Sequence, residues 1–411
     1  MRFIIKKIVQ VIFVLLAMAS ASACPNKLSE EHPREHGVQA TSLKDTSGLY
    51  LVYMVNEYQR GLTNNSNTGH VLIASPDGER RELLFNHPQF IYHIVPSPAG
   101  THIAFVASVQ ITAGYDEKHL WIFNLETGRM QDVSSQGQNS RNLSTTPIFS
   151  PDGSKVFFLS KISRDTGQFH VFECDVATLT IRGLYTQPVE EVPITVIPGT
   201  GRICVVQRSP EGVNNYSHVS IDSDTGETET LHTYESITKL GPAFIDRNFR
   251  TIFTDTKPYD PSASALSGMR SRNILSVDIA FGTETELAME EGSVSYVYQI
   301  FMDSDGVDKL LLRRQVASEN EETPVGRIMK CDLDGTNQEF LTPEGLRTSW
   351  QRPPSNVPPV SYDGSLIFYF RKDPVFDFTD LYVMNTDGTN SVNVSNTAGY
   401  SEEAAGWLAV K

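Results

Sequence analysis

Histidine is the side chain best suited to bind a metal ion or carry a proton near neutral pH, so its positions show which chemistry the chain could support. All ten histidines occur at or before His232. Four of them follow one another at intervals of about 50 residues, at His70, His119, His170 and His218. Ligands of one ion must converge on a single point, whereas equivalent positions of a long repeat are held apart. We therefore expect four separate structural histidines and no bound metal.

Catalytic motifs are absent from the sequence. It contains no Gly-x-Ser-x-Gly turn for a serine nucleophile, no His-Glu-x-x-His zinc motif and no phosphate-binding loop. The segments Asp303-Ser304-Asp305-Gly306 and Asp332-Leu333-Asp334-Gly335 resemble the start of a calcium loop, but they lack its downstream ligands and stand where tight turns are required. The sequence predicts no catalytic residue and no cofactor, although it leaves open whether any catalytic activity exists.

The elements that would position a site are built from one repeated unit, whose clearest copy is residues 146–160. Two apolar runs flank a turn in which Pro151 sets φ near −65°, Asp152 bonds back to the backbone and Gly153 takes a positive φ. This pattern predicts a β-hairpin. An alternating run at 169–175 and a second tight turn follow, and together they predict a four-stranded antiparallel sheet.

Degraded copies of this unit recur to the C-terminus with a period of about 47 to 58 residues, which is typical of β-propeller blades. Residues 49–57, 70–74 and 79–85 supply three strands of a further, split copy, and residues 403–410 supply its first strand. We therefore predict an all-β, seven-bladed β-propeller in which a C-terminal strand closes the first blade. Poor matches in the fourth and fifth copies leave a six-bladed ring as the alternative.

The N-terminus predicts export from the cytoplasm. Residues 1–23 combine a basic segment, an apolar run too short to span a bilayer and small residues, which is the pattern of a signal peptide. Ala21-Ser22-Ala23 suits ordinary signal peptidase, whereas small residues running into Cys24 resemble the bacterial lipobox, with Ala21 where leucine is usual. We favour the second interpretation, in which Cys24 is lipidated. Because Pro25 rather than aspartate follows, this interpretation predicts a periplasmic protein anchored to the outer membrane.

Composition limits the partners. Residues 24–48 are polar and predict a flexible tether to the propeller at 49–411. The chain has 34 lysines and arginines against 49 aspartates and glutamates, a formal charge of −15. Removing residues 1–23 takes away three basic residues and leaves 31 against 49, a charge of −18. Such a protein is unsuited to nucleic acid, which requires a basic surface, and it favours cationic partners.

Loop length distinguishes the two faces of the predicted ring. On the tight-turn face, the turns between first and second strands and between third and fourth strands only close hairpins. On the long-loop face, the connections between second and third strands are longer than geometry requires, which is where binding usually occurs. These long connections are residues 58–69, 108–118, 161–168, 208–216, 257–273, 314–326 and 371–379.

The long-loop face and the adjoining channel mouth are rich in tyrosine and arginine, which are enriched in binding hot spots. Solvated loop side chains are the competing interpretation for each of them. The candidate binding residues are Tyr58, Arg60, Tyr92, His93, Tyr115, Arg164, Lys257, Tyr259, Arg270, Arg272, Trp350, Arg352, Arg371 and Phe376.

The repeat resembles that of a known family. Phe149-Ser150-Pro151-Asp152-Gly153 with Phe157-Phe158, and the weaker copy Val360-Ser361-Tyr362-Asp363-Gly364, resemble the PD40, or WD40-like, repeat of TolB-type propellers. The resemblance covers residues 49–411 and implies a non-catalytic envelope scaffold that binds a protein or peptide. Similar blades occur in peptidases and oligogalacturonate lyases, so a polysaccharide-active enzyme or a small-carbohydrate binder on the same face is the alternative. The chain departs from TolB in its apparent seven blades and in having a short tether instead of an α/β domain.

Overall fold

The computed structural model describes thirteen parts of the chain: residues 47–57, 68–112, 115–134, 143, 146–161, 168–208, 214–258, 273–287, 294–316, 325–343, 357–372, 379–395 and 402–410. The chain divides into two units, 1–38 and 39–411, and every described residue belongs to the second. In these ranges the regular secondary structure consists of β-strands. They contain no helix long and apolar enough to cross a membrane.

The strands of the described residues form seven antiparallel sheets. Blade 1 consists of β1 (Gly48–Glu57), β2 (Thr68–Ala74), β3 (Arg81–His87) and, from the other end of the chain, β28 (Glu402–Val410). Blades 2 and 3 consist of β4 (Ile91–Pro96), β5 (His102–Thr112), β6 (Tyr115–Asn124), β7 (Met130–Asp132), β8 (Ile148–Phe149), β9 (Lys155–Lys161), β10 (Phe169–Asp175) and β11 (Ile181–Val189).

Blades 4 and 5 consist of β12 (Thr195–Ile197), β13 (Arg202–Arg208), β14 (Tyr216–Asp222), β15 (Thr228–Tyr234), β16 (Ile237–Leu240), β17 (Phe244–Ile245), β18 (Thr251–Pro258), β19 (Asn273–Asp278) and β20 (Glu284–Glu286). Blades 6 and 7 consist of β21 (Val294–Met302), β22 (Asp308–Val316), β23 (Val325–Asp332), β24 (Glu339–Phe340), β25 (Leu366–Lys372), β26 (Thr379–Asn385) and β27 (Val392–Asn393).

These sheets confirm the seven-bladed β-propeller and exclude the six-bladed alternative. Blades 4 and 5, which match the repeat least, each form a complete sheet. Blade 1 is closed as predicted, because β28 pairs antiparallel with β1 and sets Trp407 opposite Leu51. In blade 7 a single bridge between Val360 and Ile367 takes the place of a first strand.

Apolar packing between neighbouring blades forms the core. Successive residues of a strand point to opposite faces of its sheet, and both faces of an inner strand are covered here, so β9 is apolar without interruption from Val156 to Leu159. Phe157 contributes to a cluster shared with blade 4. Phe158 lies on the other face of the sheet and stacks on Phe172. The described residues form four more such clusters between adjacent blades.

The turns between first and second strands have the predicted chemistry. Gly153 has φ +74°, and its N–H donates to the Ser150 carbonyl at 2.9 Å. The Ser150 hydroxyl donates to the Asp152 carboxylate at 2.6 Å and accepts from the Lys155 N–H at 2.9 Å. Hydrogen bonds from Ser150 and Ser154 lower the pKa of Asp152 to about 2. The same arrangement recurs around Asp363 in blade 7.

Strands extend into segments that were predicted as loops. β5 and β6 stay paired as far as Thr112 and Tyr115, so the predicted long loop at 108–118 is wrong and Tyr115 is a strand residue. Lys257 and Arg371 lie near the ends of β18 and β25. The run Ser-Val-Gln-Ile-Thr in β5 alternates and includes β-branched residues, which favours continued pairing over a loop.

The turn glycine of blade 7 also packs tightly against blade 6. A Cβ on Gly364, whose φ is +74°, would lie 2.6 Å from the Met302 carbonyl oxygen. Gly306 holds the equivalent position in blade 6 with φ +79°, and a Cβ there would meet nothing within 4 Å. The two glycines therefore share a backbone requirement and differ in packing.

We expect Gly364→Ala to lower the free energy of unfolding by about 2 to 3 kcal/mol, because the methyl group adds a clash with Met302 to the strain of positive φ. Gly306→Ala carries the backbone strain alone and should lose about 1 kcal/mol. Urea denaturation of both variants measures the difference. Equal losses would contradict the packing of the blade 7 turn on blade 6.

Candidate functional site

The structure describes some of the predicted binding residues and not others. The side chains of Tyr92, His93 and Arg371 are described, and Tyr115 and Lys257 are described as strand positions. Cys24 and nine candidates lie outside the described residues: Tyr58, Arg60, Arg164, Tyr259, Arg270, Arg272, Trp350, Arg352 and Phe376.

Tyr92 and His93 lie together at the start of β4, where the channel meets the long-loop face. The Ser108 hydroxyl donates to the Tyr92 hydroxyl at 3.2 Å, and the Lys118 Nζ lies 4.2 Å from the centre of the Tyr92 ring. His93 Nδ1 is 3.0 Å from the Thr146 hydroxyl. Burial, together with the nearby charge of Lys118, lowers the pKa of His93 to about 4, so this imidazole is neutral at pH 7.

Arg371 belongs to blade 7 and not to the Tyr92 group in blade 2. Its Cζ lies 5.3 Å from the centre of the Tyr382 ring. Tyr382 in turn stacks on Tyr369 with ring centres 5.5 Å apart. The three candidates whose side chains are described therefore occupy two separate blades and do not converge on one point.

The four repeated histidines are buried in their own blades. His70 Nδ1 is 2.7 Å from the Asn86 side chain, and His119 Nδ1 is 2.8 Å from the Asp132 carboxylate. His170 lies in β10 of blade 3. Among the described residues, no group of three or more His, Cys, Asp or Glu side chains is placed to hold a metal ion.

His218, the fourth of these histidines, forms hydrogen bonds through both ring nitrogens. Nε2 is 3.0 Å from the Gly241 carbonyl, and Nδ1 is 3.0 Å from the Tyr234 hydroxyl. A carbonyl only accepts, so Nε2 carries the proton and Nδ1 of the neutral ring accepts from the tyrosine. Burial lowers the pKa of His218 to about 4.

The central channel contains the apolar site that the sequence analysis missed. Two adjoining cavities of about 210 and 180 Å³ share Ile148, Val196 and Pro358 in their walls. Residues from all seven blades line them, and these residues include Val95, Ile148, Val196, Ile245, Ile300 and Trp407. Because Pro98, Pro151, Pro198 and Tyr362 of the tight turns also line the cavities, the site lies at the tight-turn end of the channel.

Three of the polar side chains around these cavities bond to the protein's own backbone. The Trp407 indole N–H donates to the Pro359 carbonyl at 2.8 Å, and the Tyr362 hydroxyl donates to the Trp407 carbonyl at 3.0 Å. The Gln299 side-chain oxygen accepts from the Val360 N–H at 3.1 Å. These bonds leave mainly carbon atoms facing the channel.

Apolar surface continues from the cavities onto the tight turns of blades 6 and 7. Met302, Val307 and Tyr362 are 47%, 49% and 50% exposed, which is unusual for large apolar side chains near one another. Asp152 and Asp305 add exposed carboxylates to the turns of blades 3 and 6. The recurrence of proline or tyrosine directly after the first strand was the sequence signal for this site, but we interpreted it only as turn chemistry.

Comparisons with known proteins bear on the fold. No family model and no curated protein matches the chain. An oligogalacturonate lyase from Vibrio parahaemolyticus has a TM-score of 0.52 at 13% identity, covering 84% of this chain and 85% of the lyase. An oligogalacturonate lyase in complex with manganese has a TM-score of 0.51 at 15% identity, covering 85% of each chain. TolB from Acinetobacter baumannii has a TM-score of 0.48 at 15% identity, covering 87% of this chain and 82% of TolB. At these identities the likeness shows the β-propeller fold alone.

We expect the free energy of unfolding to fall as the pH drops from 6.5 towards 4. In this range the histidine side chain binds a proton in the unfolded chain, whereas buried His218, whose pKa is about 4, stays neutral in the folded protein. The loss should be about 1 kcal/mol per pH unit for this residue. Urea denaturation at several pH values measures it. The His218→Gln variant should be less stable at pH 7, but its free energy of unfolding should change less between pH 6.5 and 4. An unchanged slope of this free energy against pH would contradict the neutral, buried state of His218.

Proposed function

We propose that this protein is a non-catalytic binding module of the bacterial envelope and that its ligand is a segment of another protein. The observation that carries the proposal is the pair of adjoining apolar cavities at the tight-turn end of the channel. Exposed Met302, Val307 and Tyr362 extend this apolar surface onto neighbouring turns. The sequence had favoured the long-loop face, and the channel adds a second, better defined surface.

The size and chemistry of the cavities suit apolar side chains. An apolar cavity of about 150 Å³ can hold a benzene-sized molecule, so each of these can accept a leucine or phenylalanine side chain. Burying each such side chain contributes about 1.5 to 3 kcal/mol. Because Gln299, Tyr362 and Trp407 direct their polar atoms to backbone groups, the walls offer little to orient a polar small molecule.

Charge on the surrounding turns favours a ligand segment with cationic flanks. Asp152 and Asp305 are exposed, and hydrogen bonds from Ser150 and Ser154 keep Asp152 ionised far below neutral pH. Rim charges of this kind affect the association rate and the choice of partner more than the final affinity. We therefore assign the affinity to the apolar cavities and the selectivity to the carboxylates.

A photoreactive amino acid at Met302 should crosslink an envelope protein in cells, because this exposed side chain lies beside the blade 7 turn whose Tyr362 lines the apolar site. The matched control is Phe281, which is 83% exposed in a tight turn of blade 5 and does not line the cavities. Mass spectrometry identifies the crosslinked segment, and a synthetic copy of it should bind the purified protein. Val307→Lys should weaken that binding about tenfold. Equal crosslinking at Phe281, or unchanged binding by Val307→Lys, would contradict the proposal.

The proposed envelope location rests on the N-terminal sequence, in which small residues precede Cys24. Labelled palmitate should enter the wild-type protein and should be absent from Cys24→Ser, which should be released as soluble protein. Membrane fractionation measures the release. If the two proteins label and fractionate alike, residues 1–23 form an ordinary signal peptide and the lipid anchor is wrong.

Cleavage of a polysaccharide is the competing function, since oligogalacturonate lyases share the fold. A lyase of that kind requires ligands that converge on a metal and a base within reach of the substrate. Elemental analysis of the purified protein, with an absorbance assay for unsaturated uronate products, tests this. We expect neither stoichiometric metal nor product, and finding both would replace the binding proposal.

A further inference from the structure

Blades 3 to 7 place a lysine or arginine at the same point of the repeat, near the end of the second strand and beside the long-loop face. The position comes seven or eight residues after the last left-handed residue of the preceding turn. It is occupied by Lys161, Arg208, Lys257, Arg314 and Arg371. In blade 2 the equivalent Ser108 pairs across the sheet with Lys118, which supplies a cation at the same edge.

The described cations of this set rest on aromatic rings. The distances from the cationic atom to the ring centre are 4.2 Å for Lys118 over Tyr92, 4.8 Å for Lys161 over Phe169, 5.4 Å for Arg208 over Tyr216 and 5.3 Å for Arg371 over Tyr382. This contact holds a cation in place and leaves its charge uncancelled. Arg314 in blade 6 also lies over a ring, 5.5 Å from the centre of Phe340, but its side chain is buried. We therefore call Lys118, Lys161, Arg208 and Arg371 the cation ring.

Carboxylates do not neutralise most of the cation ring. In the described part of the chain, Lys118, Lys161 and Arg371 form no direct ion pair, although the charge of Glu191 acts on Lys118. Arg208 pairs with Glu190 at 3.2 Å while its side chain stays 53% exposed. On the tight-turn face, by contrast, four basic side chains are paired with carboxylates, although exposed Arg129 and Arg250 form no ion pair among the described residues. The pairs there are Lys155 with Asp224, Arg247 with Asp308, Lys309 with Asp332 and Lys330 with Asp303.

This difference is informative because carboxylates outnumber basic residues by 15 in the whole chain. Scarcity of acidic groups therefore does not explain cations without carboxylate partners. The described members of the cation ring stand in four blades at the same edge of the sheets, so they distribute positive charge around that edge of an otherwise acidic protein.

We propose that the cation ring binds an acidic polypeptide segment on the long-loop face. The carboxylates of this segment would pair with the lysine and arginine side chains of the cation ring. These side chains are already held over aromatic rings, so they lose little conformational freedom on binding. The surface is opposite the apolar site at the tight-turn end of the channel. The inference goes beyond the proposed function, because it gives the propeller a second partner surface and makes it a bridge between two proteins.

A polypeptide suits this surface better than an acidic saccharide. Saccharides are commonly held by stacking the apolar face of a sugar on an aromatic ring, and that requires a free ring face. Here the protein's own cations cover the rings, and Tyr382 also stacks on Tyr369. Glutamate and aspartate side chains of a peptide can bind through ion pairs with the cations alone and need no free ring face.

Fluorescence anisotropy of a labelled oligoglutamate peptide with the purified protein tests the proposal. The triple variant K118Q/K161Q/R371Q should weaken binding about tenfold, and added salt should weaken the wild-type interaction. K118R/K161R/R371K keeps the charges and should bind like the wild type, which separates loss of charge from loss of folding. R80Q/R129Q/R250Q removes the same charge from exposed residues of the tight-turn face and should leave the affinity unchanged.

Three outcomes would overturn the cation ring as an acidic-peptide surface. They are absence of oligoglutamate binding at low salt, equal losses in the two glutamine triple variants, and tighter binding of an oligogalacturonate of equal charge. Val307→Lys separates the two proposals, because it should impair the channel ligand and leave oligoglutamate binding unchanged. Failure at one surface therefore does not imply failure at the other.

Discussion

Pairing of β28 with β1 closes the ring, because it supplies the inner strand of a blade whose other three strands come from the opposite end of the chain. Without it, blade 1 would expose the edge of β1, and the apolar cluster between blades 1 and 2 would lose Leu408. Trp407 in the same strand bonds to the Pro359 carbonyl and lines the channel. The closing strand therefore supports the ring and one wall of the candidate site together.

Turn chemistry gives the two faces of the ring different electrostatics. Each tight turn requires a short side chain that accepts hydrogen bonds from the backbone, and aspartate meets this requirement at Asp152, Asp246 and Asp363. The tight-turn face carries aspartates for this local reason, and two of its ion pairs link neighbouring blades, Lys155 with Asp224 and Arg247 with Asp308. The long-loop face has no such requirement, so cations occupy equivalent positions there.

Binding on this scaffold follows from the way first strands converge. The first strands of six blades and the bridged segment at Val360 in blade 7 reach the axis. Because the side chains before each tight turn are apolar, the channel narrows into cavities and not into a polar pore. The histidines that suggested metal chemistry lie further out, where His70 bonds to Asn86 and His218 bonds to Tyr234 and Gly241. His70 bonds within its own blade, whereas His218 in blade 4 bonds to Gly241 in blade 5 and so also links neighbouring blades.

The sequence by itself determined the hairpin turns and the split first blade, because these depend on patterns of four to ten residues such as Ser150-Pro151-Asp152-Gly153 and the alternation in β10. It favoured seven blades, but only the structure excluded six. It also separated the four histidines by their repeat positions. Only the tertiary structure decided that Tyr115 continues a strand, that Met302 and Tyr362 border an apolar channel, and that Lys161 rests on Phe169. The channel is lined by residues from seven segments that are far apart in the sequence. Its shape depends on the distances between these segments in the closed ring, and a local sequence pattern does not contain those distances.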